Sequence, residues 1–145
     1  KNSNFKETNE EPNNPWIKNF IPTLNFFSQK FFLSRYKMEF IYLIREREFV
    51  YSNQNIYKIG RTNNSIKIRM NNYPKDSEIL LIEPVINSIE IENQLIKIFD
   101  EEFSKAYTKD GLEIIGNEYY QGDLNKMIYL IRTYIRNHCS DKILI

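Results

Sequence analysis

The 145-residue sequence predicts one small α/β domain of the α+β kind, a three-stranded antiparallel sheet flanked by helices, following a polar tail and an aromatic helical arm. Three observations carry that reading. Two runs rich in β-branched and aromatic residues, EFIYLIR and IYKIGRT, stand close together around a polar stretch. Two later segments repeat their apolar residues at spacings of three and four, as helices with one buried face do. The composition, 41% hydrophobic with 14% aromatic and 27% charged residues, is that of a chain able to bury a core.

Residues 1–14 (KNSNFKETNEEPNN) hold only Phe5 as an apolar side chain and are expected to be a disordered tail. In residues 15–37, Trp16, Phe20, Leu24, Phe27 and Phe31 recur at helical spacing, broken by Pro22, with Thr23 able to cap the second piece. This arm either packs on the domain or offers a face to a protein partner or a second copy. Residues 38–145 form the domain. EFIYLIR is its first strand, EREFVYSNQN a linker, and IYKIGRT a second strand, compatible with an antiparallel hairpin. Ser65–Asn72 reads as a short helix stopped before Pro74, and Ile79–Ile86 as the third strand. Ser88 is placed to cap the longest helix, running to about Ala106. After a loop through Asp110 and Gly111 and the extended piece GNEYYQG, Asp123 caps a last helix with Leu124, Met127, Ile128, Ile131 and Ile135 as its buried stripe. The order is ββαβαβα.

Several function classes are disfavoured. Cys139 is the only cysteine and His138 the only histidine, so neither a disulfide framework, a histidine metal cluster nor a cysteine–histidine nucleophile has support. The stretch from Trp16 to Leu33 is interrupted by Lys18, Pro22 and Lys30, so no membrane span is expected. No signal peptide is evident, and a soluble, intracellular protein is the expectation. Six of the 20 basic and three of the 19 acidic residues precede Met38, leaving the domain 14 against 16. A slightly acidic domain must concentrate its cations locally to hold a polyanion.

Glu92 is the most informative residue. With successive helical residues about 100° apart, it falls at about 60° from Leu95, inside the apolar arc of Ile91, Ile98, Phe99 and Phe103. A carboxylate there needs an arginine, a metal ion or a solvent-open cleft. Tyr42 and Lys58 are polar-tipped groups on the paired strands, with Gly60 allowing close approach. Arg61 and Arg69 offer guanidinium forks suited to phosphate oxygens, or to ordinary surface ion pairs.

In order along the chain, Phe40-Ile41-Tyr42, Lys58-Ile59-Gly60-Arg61-Thr62, Arg69 in the first helix, Glu92 in the long helix and Gly116-Asn117-Glu118-Tyr119-Tyr120 resemble the GIY-YIG nuclease superfamily, nearest to its small phage- and virus-type members. The resemblance spans Glu39 to Tyr120 and implies a metal-dependent endonuclease acting on nucleic acid, DNA ahead of RNA. It also implies that Glu92 holds Mg²⁺, with Mn²⁺ as a substitute, while Tyr42 helps activate the attacking water and Arg69 stabilises charge on phosphorus. Arg61 and Asn117 would contact substrate. Phe40 replaces the glycine of the first motif and Lys58 the tyrosine of the second. Either a one-residue bulge turns the adjacent Tyr57 inward, or Lys58 itself acts as phosphate cation or base. Two other readings stay open: a catalytically inactive domain of the same fold that binds nucleic acid or protein, and an interaction protein working through the arm.

Overall fold

The computed structural model describes residues 38–139; the expectations for the 1–14 tail and the 15–37 arm lie outside the described residues. The elements are β1 (Glu39–Arg45), α1 (Arg47–Tyr51), β2 (Ile56–Thr62), α2 (Ile66–Met70), β3 (Glu78–Val85), α3 (Ser88–Glu102), β4 (Ser104–Lys105), β5 (Tyr119–Gln121) and α4 (Leu124–Cys139). The fold is the mixed α/β class expected, with an antiparallel sheet and flanking helices. The sheet has five strands rather than three, in the order β3-β1-β2-β5-β4.

β1 is an interior strand buried on both faces: Ile41, Tyr42, Leu43 and Ile44 are all fully buried. That explains its near-continuous apolar run. It pairs antiparallel with β2, placing Tyr42 opposite Gly60 and Ile44 opposite Lys58, and with β3 on its other side. Pro84 lies in β3, an edge strand, where its missing N–H costs no ladder bond. On one face Ile41, Leu43, Tyr57, Ile59, Leu81 and Val85 pack against Ile91, Leu95 and Phe99 of α3 and Met127, Ile131 and Ile135 of α4. Each such side chain contributes on the order of 2 kcal/mol on leaving water. On the other face Tyr42, Ile44 and Ile82 pack with Phe40, Ile66, Met70, Tyr73 and Ile79. α2 and the loop after it thus cover the face opposite α3.

Differences from the sequence-based expectation have local causes. β5 lies in the expected extended piece GNEYYQG and joins the sheet by pairing with Ile56–Lys58; β4, of two residues, is too short to show an alternating pattern and pairs with β5 in turn. α1 lies within the expected linker; its one turn is held by Phe49, buried with Ile56 and Ala106, and by the Glu46 carbonyl accepting from the amides of Phe49 and Val50. α3 ends at Glu102 rather than near Ala106, because Phe103 turns extended (φ −133°, ψ 162°) and packs edge-on against Phe99. Asn87, not Ser88, occupies the cap position of α3; Ser88 is the first helical residue and its side chain is fully buried. Two caps stand where expected: Ser65 Oγ accepts from Ile68 N at 3.2 Å, and Asp123 Oδ1 from Lys126 N at 2.7 Å.

Candidate active site

Register decides which polar groups share a face. Phe40, Tyr42 and Ile44 of β1 stand opposite Thr62, Gly60 and Lys58, so Tyr42 and Lys58 point to the α2 side. Tyr57, Ile59 and Arg61 point to the α3 side. β2 pairs with β1 without interruption, so no bulge turns Tyr57 round. Tyr57 sits in the core under α3 and α4, its hydroxyl donating to Asn55 Oδ1 at 3.4 Å and its ring beneath the Arg45 guanidinium at 5.8 Å. The structure therefore does not bring Tyr57 together with the other candidates.

On the α2 side a tyrosine–arginine chain forms. Arg69 Nε donates to the Tyr42 hydroxyl at 2.9 Å, and the Tyr42 and Tyr73 hydroxyls lie 2.7 Å apart. The Tyr42 side chain is wholly shielded from solvent, and burial together with the Tyr73 hydroxyl pushes its phenol far above the ordinary tyrosine range. It is therefore a protonated phenol that orients Arg69, out of contact with solvent water. Lys58 lies between two rings, its Nζ 5.3 Å from the Tyr73 centroid and 5.2 Å from that of Tyr119, and pairs with Glu118 at 3.6 Å. The Tyr119 hydroxyl donates to Glu46 Oε1 at 2.6 Å, which fixes that ring. Glu46 and Tyr73 escaped sequence reasoning, and Glu118 and Tyr119 were quoted in the Gly116–Tyr120 motif without being assigned a role; none shows a periodicity or spacing of its own.

The pairing between β2 and β5 covers Ile56 to Lys58, and only Ile59 N donating to the Glu118 carbonyl extends it. Beyond that point no strand pairs with the β5-side edge of β2 among the described residues. Glu92, on α3, feels charges from both: burial and Glu118 push its carboxyl up to about 6, while Arg61, Lys58 and Arg69 oppose that rise. Each of these cations is engaged elsewhere, Arg61 on Ser88 at 3.0 Å, Lys58 on Glu118 and Arg69 on Tyr42. Among the described residues Glu92 makes no hydrogen bond or ion pair. No buried side-chain polar atom lacks a partner, so the unbonded Glu92 oxygens must reach solvent. The arginine-locked glutamate considered above is thereby set aside.

Asn117 is exposed in the turn before β5, and its carbonyl accepts from Lys105 Nζ at 2.5 Å. Lys105 is anchored by Asp100 at 2.7 Å and the Tyr120 hydroxyl at 2.8 Å. This lock sets the turn that presents Glu118 to Lys58. Among the described residues no group of three or more histidine, cysteine or acidic side chains is placed to hold a metal ion. A full protein cage is thus absent there, but the donor chemistry fits a hard, largely hydrated cation, which takes one or two carboxylates and keeps its waters. A hollow of about 530 Å³ beside Tyr73, lined by Ile44, Met70, Pro74 and Ile79, contains none of Lys58, Arg61, Arg69 or Glu92.

Fold and site together define a small α/β domain with a half-buried carboxylate on α3 whose charge is balanced by Arg61, Lys58 and Arg69 without a bond to any of them. The chain belongs to the T5orf172 domain family, whose model matches residues 39–135. No curated protein and no solved structure matches it. Among the described residues no helix is long and apolar enough to cross a membrane.

Proposed function

We propose that this domain is a metal-dependent endonuclease of the GIY-YIG type that hydrolyses phosphodiester bonds of nucleic acid, with DNA as its substrate. Membership of the T5orf172 family, a phage-type domain associated with homing and GIY-YIG-like endonucleases, supports a nuclease or nucleic-acid-binding role. The observation that carries the catalytic reading is Glu92: a half-buried carboxylate, open to solvent, bonded to none of the three cations around it. Burying a carboxylate without a partner is costly, and such a cost is tolerated where a ligand completes the site.

In this reading Glu92 would hold Mg²⁺ or Mn²⁺, with Glu118 near enough in charge to favour the same cation. A metal bound there would supply Lewis-acid stabilisation of charge on the scissile phosphate oxygens. Arg69, held by Tyr42, presents its remaining N–H groups to phosphate; a guanidinium stays charged and matches the oxygen spacing. Lys58 adds a point charge, steered by the Tyr73 and Tyr119 rings. Arg61 and Asn117 would contact the substrate backbone.

A catalytically inactive nucleic-acid-binding domain is the second reading, favoured by the complete burial of Tyr42. One experiment separates the two. Labelled single-stranded, duplex and branched DNA, and RNA, are incubated with the full chain and with Glu92→Ala in Mg²⁺, Mn²⁺ or EDTA. Cleavage that needs metal and is lost in the variant is expected; binding without cleavage by folded wild-type protein would overturn the catalytic reading.

A further inference from the structure

Ser88 is a small polar side chain buried completely between a strand and a helix, and capping does not account for it, because Asn87 holds the cap position of α3. Its hydroxyl is used in both senses. It accepts from Arg61 Nε at 3.0 Å and donates to Glu39 Oε1 at 2.8 Å. A serine hydroxyl has one proton, so the donation to Glu39 orients its lone pairs toward Arg61. The result is a directed chain, Arg61 to Ser88 to Glu39, that joins β2, α3 and β1.

Ser88 and Glu92 are four residues apart on α3, so they share a helix face. Arg61 lies within electrostatic reach of Glu92, yet its Nε is bonded one turn away. An arginine pairs most strongly with a carboxylate side-on or end-on, through two parallel N–H groups, and occupying Nε removes the side-on mode. Glu39, through the hydroxyl, gives the guanidinium a negative group other than Glu92. We infer that Glu39 and Ser88 are positioning residues that hold Arg61 off Glu92, so that the Glu92 carboxylate stays open to a divalent cation. This rests on the metal-dependent reading above, and it makes Ser88 a determinant of metal affinity although it touches neither metal nor substrate. Without the hydroxyl, Arg61 folds onto Glu92 and competes with the cation for the same oxygens.

The test uses the full chain and two readouts. Mn²⁺ affinity, followed by water-proton relaxation, falls about tenfold in Ser88→Ala, the size expected when a group supporting a ligand is lost. It returns in Ser88→Ala/Arg61→Ala, because the competing guanidinium is gone. Glu39→Gln, which keeps an acceptor for the hydroxyl but removes the charge, gives a smaller loss. The Arg61 Nε–Hε resonance moves in Ser88→Ala and moves again when Glu92→Gln is added. Unchanged Mn²⁺ affinity in folded Ser88→Ala, or a loss that Arg61→Ala fails to reverse, would overturn the inference. If the wild type binds no Mn²⁺, the metal-dependent reading fails on its own; the Arg61 resonance then still decides whether Ser88 keeps Arg61 from Glu92.

Discussion

Replacing Gly60 by alanine tests the geometry on which the site depends. Gly60 has no positive φ, so the backbone accepts alanine, and exchange at such a position ordinarily stabilises by about 0.4–1 kcal/mol through the unfolded state. Here the sign reverses. Gly60 stands directly opposite Tyr42, and a methyl group would lie within 2.5 Å of the Tyr42 hydroxyl oxygen and of ring atom Cε2. The ring cannot withdraw freely, because it is packed with Ile44 and Ile82 and meets Tyr73 edge-on at 6.0 Å. Overpacking of this kind costs about 1–3 kcal/mol, and each hydroxyl bond loosened, to Arg69 and to Tyr73, adds roughly 0.5–1.5 kcal/mol. A net loss of roughly 1–5 kcal/mol is a large share of the stability of a domain this size. Urea unfolding followed by far-ultraviolet circular dichroism measures it. In a Tyr42→Ala background the same substitution should cost less than about 1 kcal/mol, since the obstructing ring is gone. Gly60→Ala within about 0.5 kcal/mol of wild type, or an equal cost in both backgrounds, would refute the reasoning.

Three further outcomes follow from the same contacts. Glu92 has a folded-state pKa of about 6 against an ordinary 4.5, so its ionisation opposes folding: its contribution is neutral below pH 4.5 and increasingly unfavourable as pH rises to 6. Glu92→Gln should therefore gain stability relative to wild type across that window in metal-free buffer, and pH-dependent denaturation curves that stay parallel would count against it. Tyr42→Phe should keep the fold within about 1–2 kcal/mol, yet leave Arg69 without its anchor, lowering kcat more than it changes KM; steady-state kinetics on a cleaved substrate checks the split. Tyr57→Phe removes only a 3.4 Å hydroxyl bond on the opposite face and should leave turnover unchanged, whereas a large loss would mean that β2 rearranges on binding substrate.

What the sequence by itself determined follows from periodicity and from residues out of place. α4 was legible because Met127, Ile131 and Ile135 recur at helical spacing and Asp123 precedes them, and both features depend only on near neighbours in the chain. Glu92 was legible as an anomaly, a charge inside an apolar arc. The hairpin of β1 and β2 was legible from composition, yet its register was not, and register alone places Lys58 beside Tyr73 and sends Tyr57 into the core. β5 was legible only as the extended piece GNEYYQG, without its partners; β4 is too short to carry a pattern, and the short turn of α1 exists because Phe49 finds a pocket shared with Ala106 and Tyr119, far along the chain. Glu46, Tyr73, Glu118 and Tyr119 gain their parts from partners as distant as the 73 residues between Glu46 and Tyr119. Whether Glu92 meets an arginine or solvent was likewise a tertiary matter: Arg61 is bonded to Ser88, which is bonded in turn to Glu39, and hydrogen bonds between segments so far apart leave no trace in local sequence.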